Sequence, residues 1–315
     1  MTARAAALPD LMLLAVAAIW GSSYGVAKSA LVVYPVLGLV ALRFGITFAL
    51  LLPALRHLRQ ADRRTWLRLL GTGALLLGIF LCETFGLLLT QATNAALLIS
   101  LCVVFTSGVE WLLLGRRPSR IEWIAVVLSL AGALLLSGAQ GFELNGGDML
   151  ILAAALLRAF NVCVTKRAMN ATRDLPALSV TAVQSGVVAS GSVIAMLAFA
   201  PSQWQPLPSL SSQPQFWACV LYLVLACTLF AFFAQNHAIG RRSPTRVALL
   251  MGSEPIFGAM FAMVWLGESM SLAGWFGGSL IVTSAWMASM PLRRGAPPVS
   301  RPERSDVVRA CPGTH

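Results

Sequence analysis

The sequence predicts an all-α integral membrane protein of ten transmembrane helices, arranged as two inverted five-helix repeats. Three observations predict it. The first is composition: hydrophobic residues make up 57% and charged residues 11% of the 315-residue chain, whereas soluble domains carry about 25% charged residues. The second is an internal repeat. Ala96–Leu128 recurs without a gap as Ala248–Leu280, so that Ala96, Leu97, Leu98, Phe105, Leu114, Gly115, Ser119, Trp123 and Leu128 return as Ala248, Leu249, Leu250, Phe257, Leu266, Gly267, Ser271, Trp275 and Leu280. The third is that Lys and Arg fall in alternate loops.

The apolar segments, each near the ~20 residues a helix needs to cross the hydrocarbon, run Leu11–Val33, Pro35–Leu55, Leu67–Leu89, Asn94–Gly115 and Ile121–Gly138 in the first half. The second half has Asp148–Met169, Pro176–Ala200, Phe216–Ile239, Pro244–Leu266 and Leu272–Met290. Their apolar runs are continuous rather than alternating, which selects helices over a barrel. The first segment follows Arg4 as a signal peptide would, but it has no clear small-residue cleavage site and further spans follow it.

Orientation follows from the cations. Arg56–Arg68, Arg116–Arg120, Lys166–Arg173 and Arg241–Arg246 lie between spans two and three, four and five, six and seven, and eight and nine. A last group, Arg293–Arg309, follows span ten. All fall on the side of both termini, and the other connections contain no Lys or Arg. The positive-inside rule puts both termini in the cytoplasm. The formal charge of +11 is thereby a matter of topology and of anionic lipid headgroups, not of nucleic acid. The cysteines show no CxxC or zinc spacing and read as small packing residues.

The opening spans of each half also align. Asp10, Leu14, Ala17 and Lys28 match Asp148, Leu152, Ala155 and Lys166; Pro35 and Ala41 match Pro176 and Ala182. A five-helix unit is odd, so the second copy enters the membrane the other way up, as in many secondary transporters. The expected organisation is a cytoplasmic tail over residues 1–10, repeats over 11–139 and 148–290, and a Pro- and charge-rich cytoplasmic tail over 291–315 that is expected to be disordered.

Trp20-Gly21-Ser22-Ser23 followed by Lys28, Pro35 followed by Arg43-Phe44, Ala96-Leu97-Leu98, Glu254-Pro255, Leu266-Gly267-Glu268 and Trp275 together resemble the EamA-type branch of the drug/metabolite transporter superfamily. The resemblance spans nearly the whole chain except its tails. It implies a carrier of the bacterial inner membrane, often an exporter of amino acids, metabolites or toxic compounds. The halves have diverged: Cys102-Val103 stands where the second half has Glu254-Pro255, and Gly115-Arg116 where it has Gly267-Glu268.

Ionisable groups inside spans cost about 2.5–3.5 kcal/mol at the bilayer centre and so should face a cavity or a partner. At 1.5 Å per residue, Glu254 counted from the cytoplasm and Arg158 counted from outside both lie about 15 Å deep. Two readings stand side by side: a charged site for a zwitterion, or a static ion pair joining spans six and nine. Arg43 and Glu83 share the outer third, and their repeat counterparts Gln184 and Gln235 have both become amides, which suggests contact between the two positions. Trp20, the counterpart of Arg158, and Tyr24 one turn on add aromatic faces, with Asn161 beside Arg158. These nine residues are the expected substrate pathway. Lys28 can snorkel to the interface, and Glu110 has Arg116 and Arg117 nearby for a local ion pair.

The expected function is secondary transport of a small organic solute by alternating access. No GxxxxGK[ST] motif is present, which argues against ATP-driven transport by this chain. No cofactor and no metal are expected. Coupling to protons through Glu83 or Glu254 stays open, although a carboxylate held by Arg ionises at ordinary pH. A lipid-linked precursor flippase is the alternative within the superfamily. An intramembrane enzyme is a more distant one, since HExxH and a pair of intramembrane histidines are absent. The partners expected are the solute and membrane lipid; a monomer is compatible with the sequence.

Overall fold

In the computed structural model the described residues are 3–90, 95, 98–136, 145–172, 175–203, 205–209, 211–266 and 271–289. Within them the chain is helical, with α1 Ala3–Leu31, α2 Val36–Leu51 prolonged by a 3-10 turn Leu52–Leu58, and α3 Arg63–Leu89. There follow α4 Cys102–Leu114, α5 Arg120–Leu136, α6 Gly146–Ala171, α7 Ala177–Phe199 and α8 over Pro214–Arg241. The last three are α9 Pro244–Met251, α10 Glu254–Leu266 and α11 Leu272–Ser289.

The helix ends follow local chemistry. Asp62 caps α3 by accepting from the Thr65 backbone N–H at 3.0 Å, and hydrogen bonding to Thr65 holds its carboxyl below the ordinary value. Asn145 and Asp148 form a capping box at the start of α6. Pro35, Pro176 and Ser243 precede α2, α7 and α9, and Gly115 ends α4 with φ +66°.

Among the described residues, six helices are long and apolar enough to cross a membrane: Leu8–Leu31, Val36–Leu58, Arg63–Leu89, Gly146–Ala171, Ala177–Phe199 and Pro214–Arg241. The other expected spans are described only in part, over Leu98–Leu114, α5, α9, α10 and α11. Leu98–Leu114 contains a turn at Leu101, and the ninth expected span divides at Gly252–Ser253 into α9 and α10. Leu101 and Ser253 are repeat counterparts, so the same kink occurs once in each half. The 291–315 tail and most of the connection at 139–147 lie outside the described residues.

The extensive helix contacts run between the halves: α3 with α6, α5 with α11, α2 with α7, α4 with α6, and α1 with both α8 and α10. Small residues permit the closest approaches. A Cβ on Gly21 of α1 would lie 2.7 Å from the Gly258 nitrogen and 2.8 Å from the Glu254 carbonyl oxygen of α10. A Cβ on Gly132 of α5 would lie 2.6 Å from the Gly277 carbonyl oxygen of α11. The interior is apolar, with Leu13, Phe44, Leu223 and Leu250 buried together. Leu50, Val127, Ile194, Val264 and Trp286 are exposed, the large apolar perimeter that lipid covers and water would not.

Candidate functional site

A cavity lies inside the bundle. It is lined by residues of α1, α2, α3, α6, α7, α8 and α10. Of the nine residues expected on the pathway, eight reach it: Trp20, Arg43, Glu83, Arg158, Asn161, Gln184, Gln235 and Glu254. The side chain of Tyr24 lies outside the described residues.

Arg158 is the hub. Its Nη1 lies 3.4 Å from Glu254 Oε2, its Nη2 3.9 Å from Glu83 Oε2, and its guanidinium 4.9 Å from the centroid of the Trp20 ring. One cation thus draws α3, α10 and α1 together. Glu254 stands in the first turn of α10, because the chain breaks at Gly252–Ser253 just before it. Broken helices are where carriers place ion and solute contacts.

Arg43 faces elsewhere. Its Nε donates to Thr228 Oγ1 at 2.5 Å and its Nη2 to the Cys227 carbonyl at 3.1 Å, while the guanidinium lies over the rings of Phe44 and Phe80 at 5.4 and 5.2 Å. The carboxylate of Glu83 finds Arg158 and not Arg43 within 4.0 Å. The expected Arg43–Glu83 contact is therefore corrected: the two residues share the cavity but form no ion pair. Depth along a helix is legible from sequence; the direction a side chain faces around it depends on packing, and α2 packs mainly on α7, with little contact to α3.

A π-helical turn, Leu225–Phe230, interrupts α8 at this level. The carbonyl of Cys227 within it accepts from Trp20 Nε1 at 3.0 Å as well as from Arg43 Nη2, so a single backbone oxygen fixes two cavity side chains. Such turns leave carbonyls available and recur at functional sites. Phe232, one turn on, packs against Trp20, Phe44 and Phe80 at 5.4, 6.1 and 6.1 Å between centroids. The amides are partly committed. Asn161 donates to the Thr72 carbonyl at 3.2 Å, and Gln184 accepts from Asn236 at 2.9 Å. Asn236, Ser23, Phe80 and Phe232 also line the cavity and were not singled out from sequence. The π turn leaves no composition signal at all.

At the end where the basic loops gather, Glu110 is fully buried, accepting from the Thr245 backbone N–H at 2.8 Å and from Arg116 at 2.9 Å. Arg116 also reaches Glu122 at 2.7 Å, whereas Arg117 lies over the Trp111 ring at 5.3 Å. Among the described residues no cluster of three or more His, Cys, Asp or Glu side chains is placed to hold a metal ion.

The profile of the EamA-like transporter family matches residues 7–138 and again residues 145–290. This chain belongs to the EamA-like transporter family. The EamA match accounts for the fold class: a multi-pass helical membrane protein of transporter type. An "Uncharacterized transporter" of Archaeoglobus fulgidus is 26% identical over 89% of this chain and 85% of its own length. The "Uncharacterized inner membrane transporter YedA" of Escherichia coli K12 is 26% identical over 86% of this chain and 87% of its own. The "Uncharacterized transporter YwfM" of Bacillus subtilis is 24% identical, over 64% of this chain and 66% of its own. A solved crystal structure shares the EamA chain's fold with a TM-score of 0.72 at 23% identity, covering 89% of this chain and 96% of that one.

Proposed function

We propose that this EamA-family chain is a secondary transporter that exports a small organic solute, such as an amino acid, a metabolite or an amphipathic toxic compound, and that the Arg158 cavity holds the solute. The observation that carries the reading is the convergence of Glu83, Glu254 and Trp20 on Arg158 inside one cavity. Charges of both signs beside aromatic faces suit an amphipathic or zwitterionic guest. A purely static pair would need neither the cavity nor the shared cation.

The proposed architecture is ten spans in two inverted repeats, with both termini cytoplasmic. Support comes from the two matched stretches, the paired kinks at Leu101 and Ser253 and the alternating basic loops. The name of the Escherichia coli relative supports placement in a bacterial inner membrane. Rocking of one helix set against the other would expose the cavity to each side in turn. Glu83, farther from Arg158 than Glu254 is, is the carboxylate placed to exchange a proton if transport is proton-coupled.

The test is reconstitution. Protein-only liposomes are loaded with radiolabelled candidate solutes taken from a sensitivity screen of cells lacking or overproducing the chain. Movement of unchanged solute supports transport, a chemically altered product overturns it, and turnover only of lipid-linked precursors replaces it with a flippase.

A further inference from the structure

Two repeat-related contacts of different chemistry involve the opening helix of each half. Asp10, on α1, accepts from Arg242 Nε at 2.9 Å and from Arg246 Nη2 at 2.6 Å, at the junction of α8 and α9. Asp148, the repeat counterpart of Asp10, starts α6 and accepts from the hydroxyl of Thr90 at the end of α3. In the register that pairs Glu83 with Gln235, Thr90 is the counterpart of Arg242, and Asn94 is the counterpart of Arg246. The repeat-related carboxylates are thus met once by two cations and once by a neutral hydroxyl.

The asymmetry extends to the next layer. Glu110 and Glu122, tied to Thr245 and to Ser119 and Arg116, have Ala262 and Gly274 as counterparts in the sequence. The two carboxylates have no acidic counterparts at their own positions, while Glu268 stands at the position of Arg116.

We propose that the Asp10–Arg242–Arg246 cluster is a cytoplasmic latch whose external twin has no cations, so that the resting protein is closed to the cytoplasm and its cavity is reached from outside. This rests on the alternating-access reading and on the inverted topology. Opening inward must separate a partly buried carboxylate from two guanidinium groups, whereas opening outward separates a neutral hydroxyl from Asp148, which the capping box with Asn145 still satisfies. The difference in the two opening costs sets the population of the two states.

The experiment uses the full chain in a cysteine-free background with Ser23→Cys, a cavity position, and an impermeant maleimide applied to intact cells or to inside-out vesicles. With the latch intact, labelling from outside is expected to exceed labelling from inside by about 10-fold or more. Arg242→Thr with Arg246→Asn, which copies the external residues, should shift that ratio about 10-fold toward the cytoplasm. Thr90→Arg, which adds a cation beside Asp148, should slow external labelling and serves as the second variant should the first fail to fold. Labelling from both sides in a ratio that neither variant moves, or faster labelling from inside in the parent, overturns the latch and leaves transport standing. Labelling from neither side in any variant overturns the alternating-access reading together with the latch.

Discussion

The guanidinium of Arg158 rests on the ring of Trp20, 4.9 Å from its centroid, and the two residues are each other's counterparts in the sequence repeat. A residue touches its own counterpart only near the axis that relates the two copies. In the proposed inverted-repeat architecture this contact would lie at the pseudo-two-fold axis, where such carriers hold their solute. The repeat was duplicated as a sequence, but at this position it has diverged into a cation and the aromatic face that receives it.

Trp20 does two jobs that substitutions separate. Trp20→Phe keeps a ring beside Arg158 and loses the hydrogen bond to the Cys227 carbonyl. It should cost about 1 kcal/mol of stability and retain part of transport. Trp20→Ala also removes the ring from beneath Arg158 and from contact with Phe232, and should cost about 3–5 kcal/mol and abolish transport. Thermal unfolding in detergent, paired with solute flux in liposomes, reads both.

Double-mutant cycles on thermal stability decide the pairing of the carboxylates. Arg43→Gln with Glu83→Gln should couple more weakly than Arg158→Gln with Glu254→Gln, because no ion pair joins Arg43 to Glu83. Arg158→Gln with Glu254→Gln should show coupling of about 0.5–3 kcal/mol, because they are paired. Strong coupling in the first cycle would restore the contact expected from depth alone.

The helical membrane class was legible in the sequence, because bilayer thickness fixes span length and apolar runs of that length stand out. Arg158 and Glu254 were legible as a pair for the same reason: both are costly at mid-depth and carry opposite charge. The sequence failed where the answer lies in azimuth rather than depth. Glu83 turns toward Arg158 instead of Arg43, and the carbonyl of Cys227 serves both Trp20 and Arg43 only because α8 contains a π turn. Phe80 and Phe232 carried no signal that distinguished them from the other apolar residues of their helices.

The buried carboxylate of Glu110 should matter for folding rather than for the solute. Arg116→Gln removes its ion-pair partner and should destabilise the protein by about 3–5 kcal/mol, less whatever the half-exposed arginine loses to solvent. Transport per folded molecule should be unchanged. Specific loss of flux from well-folded Arg116→Gln protein would place this network in the transport cycle itself.

Topology is tested by single-cysteine labelling of intact cells with an impermeant reagent. Ser211, exposed in the connection between α7 and α8, should label strongly; Ala61, between α2 and α3, should not. The opposite pattern would invert the orientation and remove the argument for export.

The central claim is that Arg158 and Glu254 act on the solute and do not merely hold α6 to α10. The most direct measurement is transport per folded molecule for Glu254→Gln, with folded protein counted by monodisperse elution and ligand-independent melting. The account predicts a protein that inserts and folds but whose flux falls by about 100-fold or more, as expected when a charge contact that changes along the transport cycle, worth roughly 3 kcal/mol, is removed. Wild-type flux from well-folded Glu254→Gln protein would contradict it.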